Sequence, residues 1–152
     1  MTHVTEIPPL VVTFEVAAPP AEAFDTWVSR AKMWWPATHT VSQAPQGISF
    51  GPGEGADIVE IAADGARHVW GRITAWEPPH RLGYSWHLFF DPAEATDVEV
   101  EFTPIDGGTR VTLTQTGWER LGDEGSRRRD RNTLGWGAVT SAFARFVADG
   151  ET

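Results

Sequence analysis

The chain has 152 residues and a mass of 16.7 kDa, the size of one domain (1–152) with one hydrophobic core. Hydrophobic residues make up 41% and charged residues 22%, and 12 Lys and Arg against 21 Asp and Glu leave a formal charge of −9. This excess of acid lacks the basic face that would neutralise phosphates, so nucleic acid is excluded as a partner. No apolar run reaches the ~20 residues that span a bilayer, and the absence of cysteine removes disulfides, thiol nucleophiles and Cys-based metal sites.

The first residues, MTHVTEIPPLVV, have neither the basic region nor the apolar stretch of a secretory signal, so a cytoplasmic location is expected. VVTFEV, from Val11 to Val16, alternates and is rich in β-branched residues, as in a strand. In PPAEAFDTWVSRA the period changes. Pro20 suits a first helical turn, Glu22 the positive end of the helix, and Phe24, Trp27 and Val28 recur at i, i+3, i+4. Met33-Trp34-Trp35 must stop at or before Pro36, because the residue before proline avoids the α region.

From Thr40 to Gly117 short strand signals alternate with turns, a meander of about six strands. GADIVEIAADG runs into a turn at Asp64-Gly65, and HVWGRITAWE runs to Pro78-Pro79, which cannot donate to a ladder. RLGYSWHLFF follows. DVEVEFTPI sets Val98, Val100 and Phe102 opposite Asp97, Glu99 and Glu101, the pattern of an antiparallel strand with one dry side. Asp106-Gly107-Gly108 turns the chain into TRVTLTQT, with Val111 and Leu113 inward.

A loop is expected from about Gly117 to Asp130. Helical period then returns in NTLGWGAVTSAFARFVADG, where Trp136, Val139, Phe143, Phe146 and Val147 form a wide apolar stripe, Asn132 or Thr133 caps the start, and Gly150 is placed as the stop. The cluster Arg127-Arg128-Arg129 with Arg131, broken by Asp130, reads as a solvated loop or helix start, with an anion site as the rival reading. One curved antiparallel sheet needs a cover, and the last helix is the only element long enough to supply it. The space left between them must be filled by large side chains or by a ligand.

PPAEAFDTWV, FGPGEGADIVEI, GRITAWEPPHRLGYSW, GGTRVTLTQTGWERLG and LGWGAVTSAFARFV occur here in the order found in one family. In these motifs the chain resembles the SRPBCC or START-like helix-grip superfamily, and within it the family named after activators of heat-shock-protein-90 ATPase, from about Leu10 to Ala148. The resemblance implies an α+β fold: a seven-stranded curved antiparallel sheet around a long C-terminal helix, two short helices after the first strand, and a hydrophobic cavity. It does not transfer a function, because members include lipid and hormone carriers, polyketide aromatases and cyclases, and chaperone regulators. The residues before Val11 are too few for the extra N-terminal domain of the eukaryotic activators, which weighs against a chaperone role.

Eight tryptophans exceed what a chain of this size needs. Trp27 belongs to the buried stripe of the first helix. If Val69, Gly71 and Ile73 face inward, Trp70 turns outward, and Trp70 and Trp76 would be covered by a loop or by a second copy of the chain in a homodimer. In the inferred fold Trp34, Trp35, Trp86, Trp118 and Trp136 converge around the gap, either as core packing or as the wall of a ligand site. Gly135 and Gly137 flank Trp136 and leave room for close approach.

Among the histidines, His3 sits in the terminus and His80 in the Pro-Pro turn. His39 is the one placed to meet a ligand, whereas His87 alternates away from Leu82, Tyr84, Trp86 and Leu88. No His-x-x-x-His or HExxH spacing supports a metal, and GPGEG reads as a turn between strands rather than a phosphate loop. The sequence therefore points to a cofactor-free binding protein for a small hydrophobic, aromatic or polycyclic molecule. Its candidate site residues are Trp34, Trp35, His39, Tyr84, Trp86, Trp118, Trp136, Val139 and Phe143. An aromatase/cyclase or hydrolase using His39, Tyr84 and Ser85 for proton transfer is the alternative, and a chaperone-interacting regulator is the third.

Overall fold

Alternating segments assemble into one antiparallel sheet: β1 Leu10–Val16, β2 Pro45–Phe50, β3 Asp57–Ala62, β4 Arg67–Glu77, β5 Arg81–Trp86, β6 Thr96–Ile105 and β7 Gly108–Thr116. This is a computed structural model, which describes residues 7–88 and 91–149. His3, Phe89, Phe90 and Gly150 lie outside the described residues. The strands run in the order β1-β7-β6-β5-β4-β3-β2, so β1 crosses over to pair with the last strand and every other pairing joins sequence neighbours.

Ile105 pairs with Gly108, leaving Asp106-Gly107 as a two-residue loop with Gly107 at φ 78°, a conformation glycine adopts without cost. Val98, Val100 and Phe102 on β6 and Val111 and Leu113 on β7 are buried on one face. The sheet curls around α3, Gly125–Ala148. Between β1 and β2 lie α1 (Pro20–Ser29), α2 (Ala31–Trp34) and a 3-10 turn at Ala37–His39.

Helix α1 begins with Pro20 and buries Phe24, Trp27 and Val28, matching the apolar spacing of its sequence. Trp27 meets Trp34 and Phe143 at ring-centre distances of 5.1 Å each, so α1, α2 and α3 share one aromatic core. Trp35 leaves the helical region at φ −68°, ψ 126°, as the following proline requires.

Three expectations are corrected. The expected loop before the last helix is instead a 3-10 segment, Trp118–Glu124, leading directly into α3 at Gly125. The first two turns of α3 carry no apolar stripe, so hydrophobic period could not reveal them. They are held by polar contacts: Arg127 pairs with Glu124, Arg128 with Glu94, and Arg129 donates to the carbonyls of Pro8 and Pro9. Asn132 and Thr133 are therefore not caps; their side chains donate to the carbonyls of Arg128 and Arg129 one turn earlier.

Trp70 is fully buried, whereas Val69 is 43% exposed. The register between β3 and β4 shifts between Ile58, opposite Gly71, and Val59, opposite Val69, so Trp70 is an extra residue that breaks the alternation. Gly71 is obligatory at this bulge, since a Cβ there would lie 1.8 Å from the carbonyl oxygen of Ser85. Trp76 is half-buried, stacking edge-on against Phe24 at 5.4 Å and lying against Gly51 of the β2–β3 loop. Trp70 is not left outside to be covered by a second copy, whereas Trp76 keeps part of its surface exposed.

Candidate functional site

Where α2 ends, β5 ends and α3 passes over the sheet, a cavity of about 590 Å³ opens to solvent. Its walls are Trp35, Trp86, Leu88, Trp136 and Val139, and its mouth carries His39, Arg131, Asn132, Leu134 and Gly135. The indoles form a cage. Trp86 and Trp136 are 5.2 Å apart at 36°, and Trp35 stands 5.9 Å from Trp86 and 6.0 Å from Trp136, nearly perpendicular to the latter at 83°. Trp70 backs the cage, 5.1 Å from Trp35 and 5.7 Å from Trp86.

Three of these four indoles, Trp35, Trp70 and Trp136, are fixed by their N–H groups. Trp35 Nε1 donates to the His39 carbonyl at 3.0 Å, which ties α2 to the 3-10 turn after Pro36. Trp136 Nε1 donates to Gln115 Oε1 at 2.7 Å, Gln115 Nε2 donates to Thr96 Oγ1 at 2.7 Å, and Trp118 Nε1 donates to the Gln115 carbonyl at 3.0 Å. Gln115 is thus a buried polar hub joining β6, β7 and α3. Trp70 Nε1 donates to Glu60 Oε1 at 3.1 Å. With these donors engaged inside the protein, Trp35, Trp70 and Trp136 present carbon faces and edges to the space they enclose.

Glu60 is a buried carboxylate with four donors. It accepts from the backbone N–H groups of Val41 and Ser42 at 2.8 Å each, from the Ser42 hydroxyl and from Trp70. Burial pushes its pKa up, but the hydrogen bonds from Ser42, Val41 and Trp70 together carry it below the usual carboxylate value. The charged form is therefore favoured, and it fastens the loop following His39 to β3.

Of the nine candidate site residues, the structure brings Trp35, His39, Trp86, Trp136 and Val139 to the cavity. Trp34, Tyr84, Trp118 and Phe143 stand behind the wall, each buried in packing. Tyr84 is fully buried, and neither its hydroxyl nor the neighbouring Trp27 Nε1 has a partner in hydrogen-bonding geometry. Burial drives the Tyr84 pKa far above the usual phenol value, so it remains a neutral phenol and does not transfer protons by ionising. Ser85 faces away from the cavity and accepts from the backbone N–H of Arg72 at 3.0 Å. His39 is therefore the one member of the proposed proton-handling set that lines the cavity. Among the described residues no three His, Asp or Glu side chains cluster as metal ligands.

Trp70, Gln115, Arg131 and Leu134 were not singled out from sequence as parts of the site. Gln115 had a readable signal: it continues the inward series of Val111 and Leu113. Arg131, Gly135 and Val139 recur every four residues, a line on one helix face that appears only once α3 is known to begin at Gly125.

A second groove, about 640 Å³ and more open, lies between α1 and β2, lined by Phe24, Val28, Phe50, Trp76 and the prolines of two turns. Among the described residues Asp25 is its sole charged lining residue. It is slightly larger than the indole cavity but more open, and one indole, Trp76, lines it where three line the other.

A curled antiparallel sheet gripping a long C-terminal helix, with an aromatic-rich interior, defines a helix-grip, START-like protein. The chain belongs to the family described as Activator of Hsp90 ATPase homolog 1-like protein, whose model matches residues 17–148. Among solved structures it is similar to an anthrahydroquino-γ-pyrone synthase, Txn09, at 34% identity and a TM-score of 0.65, covering 92% of this chain and 97% of that one. A protein from Mesorhizobium loti shares the fold at 20% identity, with a TM-score of 0.72 and coverage of 95% and 100%. So does the Aha1 dimer from Colwellia psychrerythraea at 13% identity, with a TM-score of 0.71 and coverage of 96% and 100%. No curated protein matches the chain. Among the described residues no helix is long and apolar enough to cross a membrane.

Proposed function

We propose that the protein binds a small planar aromatic or polycyclic molecule in the indole cavity, acting in the cytoplasm without a resident cofactor. The observation that carries this reading is the cage of Trp35, Trp86 and Trp136 around about 590 Å³ of open space. Flat aromatic walls at these angles reward a flat apolar guest, through burial at roughly 25 cal/mol per Å² and through ring stacking. A relative at 34% identity named as an anthrahydroquino-γ-pyrone synthase supports a polycyclic guest.

That relative also favours a second reading, in which the same cavity orients a reactive aromatic polyketide and catalyses its cyclisation. His39 on the cavity wall is the residue available to move a proton in that case. A chaperone-regulating role has only the family description behind it.

Native mass spectrometry of freshly purified protein, with extraction of whatever dissociates, tests the leading reading. An aromatic adduct is expected, and calorimetric titration with the extracted compound should weaken in Trp136→Phe and Trp86→Phe variants that remain folded. A clean mass, together with no heat from a panel of two- to four-ring aromatics, would overturn it. Turnover of such compounds, lost in His39→Ala, would select the cyclase reading.

A further inference from the structure

The cavity has a sign. Four arginines occupy the first two turns of α3, and three of them are engaged: Arg127 with Glu124, Arg128 with Glu94, and Arg129 with Asp130 and the Pro8 and Pro9 carbonyls. The fourth, Arg131, is exposed, borders the cavity, and makes no hydrogen bond or ion pair with any described residue. Among the described residues no Asp or Glu lines the cavity, in a chain where 21 acidic residues outnumber 12 basic ones. His39 shares the mouth with Arg131, and its Nδ1 is turned to the Thr38 hydroxyl at 3.1 Å.

Such a site sorts the two ends of a ligand. The inner wall is carbon, where a charge would lose its hydration without a partner, so an ionised group must remain at the mouth. There the guanidinium offers paired N–H donors in a planar fork that matches a carboxylate. We propose that the ligand is an aromatic carboxylic acid, its ring system among the indoles and its carboxylate held by Arg131. This rests on the cavity-binding reading above and adds the charged group to it.

Two probes of identical ring system separate the claims: anthracene-2-carboxylate and anthracene-2-carboxamide, each titrated calorimetrically into the intact protein. The carboxylate should bind roughly three- to tenfold more tightly, the range of a charge-assisted contact at a wet site. Arg131→Gln should erase that preference, bringing the affinities of the two probes together, Arg131→Lys should keep part of it, and ~1 M salt should shrink it, since the screening length falls to about 3 Å. Arg131 is exposed and unpaired, so its variants should melt like the parent. Equal binding of the two probes, or a preference that survives in Arg131→Gln, would overturn the carboxylate subsite and leave the cavity reading standing. If neither probe binds, the carboxylate subsite is overturned, and the cavity reading is decided separately by the native mass and the aromatic panel.

Discussion

Gly135 lies in the interior of α3, where glycine costs about 0.8–1 kcal/mol relative to alanine because more backbone freedom is lost on folding. Nothing in the packing demands that cost. A Cβ at Gly135 would meet only His39 Cδ2, at an ordinary 3.8 Å, and a Cβ at Gly137 would meet nothing within 4 Å. Gly135 lines the cavity and Gly137 does not. Alanine at either position should therefore stabilise the protein by about 1 kcal/mol, or roughly 2–4 °C in melting temperature for a chain of this length. The two variants should part company in binding. The new methyl at position 135 projects beside His39 into the space offered to an aromatic guest, and affinity for anthracene-2-carboxylate should fall at least about threefold, whereas Gly137→Ala should bind like the parent. Differential scanning calorimetry and titration calorimetry on the two variants decide the matter. A destabilised Gly135→Ala would show that the helix requires glycine there for packing, and identical affinities in the two variants would mean that this wall is not touched by the guest.

Gln115→Leu should cost about 1–3 kcal/mol by denaturant unfolding, because the buried N–H of Trp136 and the hydroxyl of Thr96 lose their partner, and binding should weaken as Trp136 loses its tether. Tyr84→Phe should change stability by less than about 1 kcal/mol in the same assay, since its hydroxyl has no hydrogen bond to lose; a larger destabilisation would reveal a partner for it. Glu60 has a lowered pKa in the fold, so its contribution is fully present above its unfolded value of about 4.3 and is lost as pH falls through the lower folded value. Melting temperature measured from pH 6 downward should accordingly drop less steeply in Glu60→Gln than in the parent, from a starting point lower by about 1.5–3 kcal/mol.

Periodicity revealed those elements whose apolar residues repeat. The stripe on α1, the dry faces of β6 and β7, and the apolar half of α3 were all legible, because burial of one face is what both selects the pattern and stabilises the element. The beginning of α3 was not, because it is held by ion pairs and by carbonyls of distant Pro8 and Pro9, partners that a local pattern does not encode. Trp70 was misplaced by a single inserted residue, which inverts the parity of everything on one side of it. The aromatic walls of the cavity could be anticipated from composition and from the resemblance. Of its polar mouth only His39 could, since placing Arg131 on the cavity line depends on knowing where the helix starts.

The close packing of four indoles has an optical consequence. Trp35, Trp70, Trp86 and Trp136 are held within about 5–6 Å of their neighbours at fixed tilts, near enough for their excited states to couple and for excitation to hop among them. Their near-ultraviolet circular dichroism should therefore be that of a coupled array rather than a sum of independent chromophores. A flat guest stacking against Trp86 and Trp136 would alter the coupling directly, so the protein's own absorbance bands report occupancy without any added label.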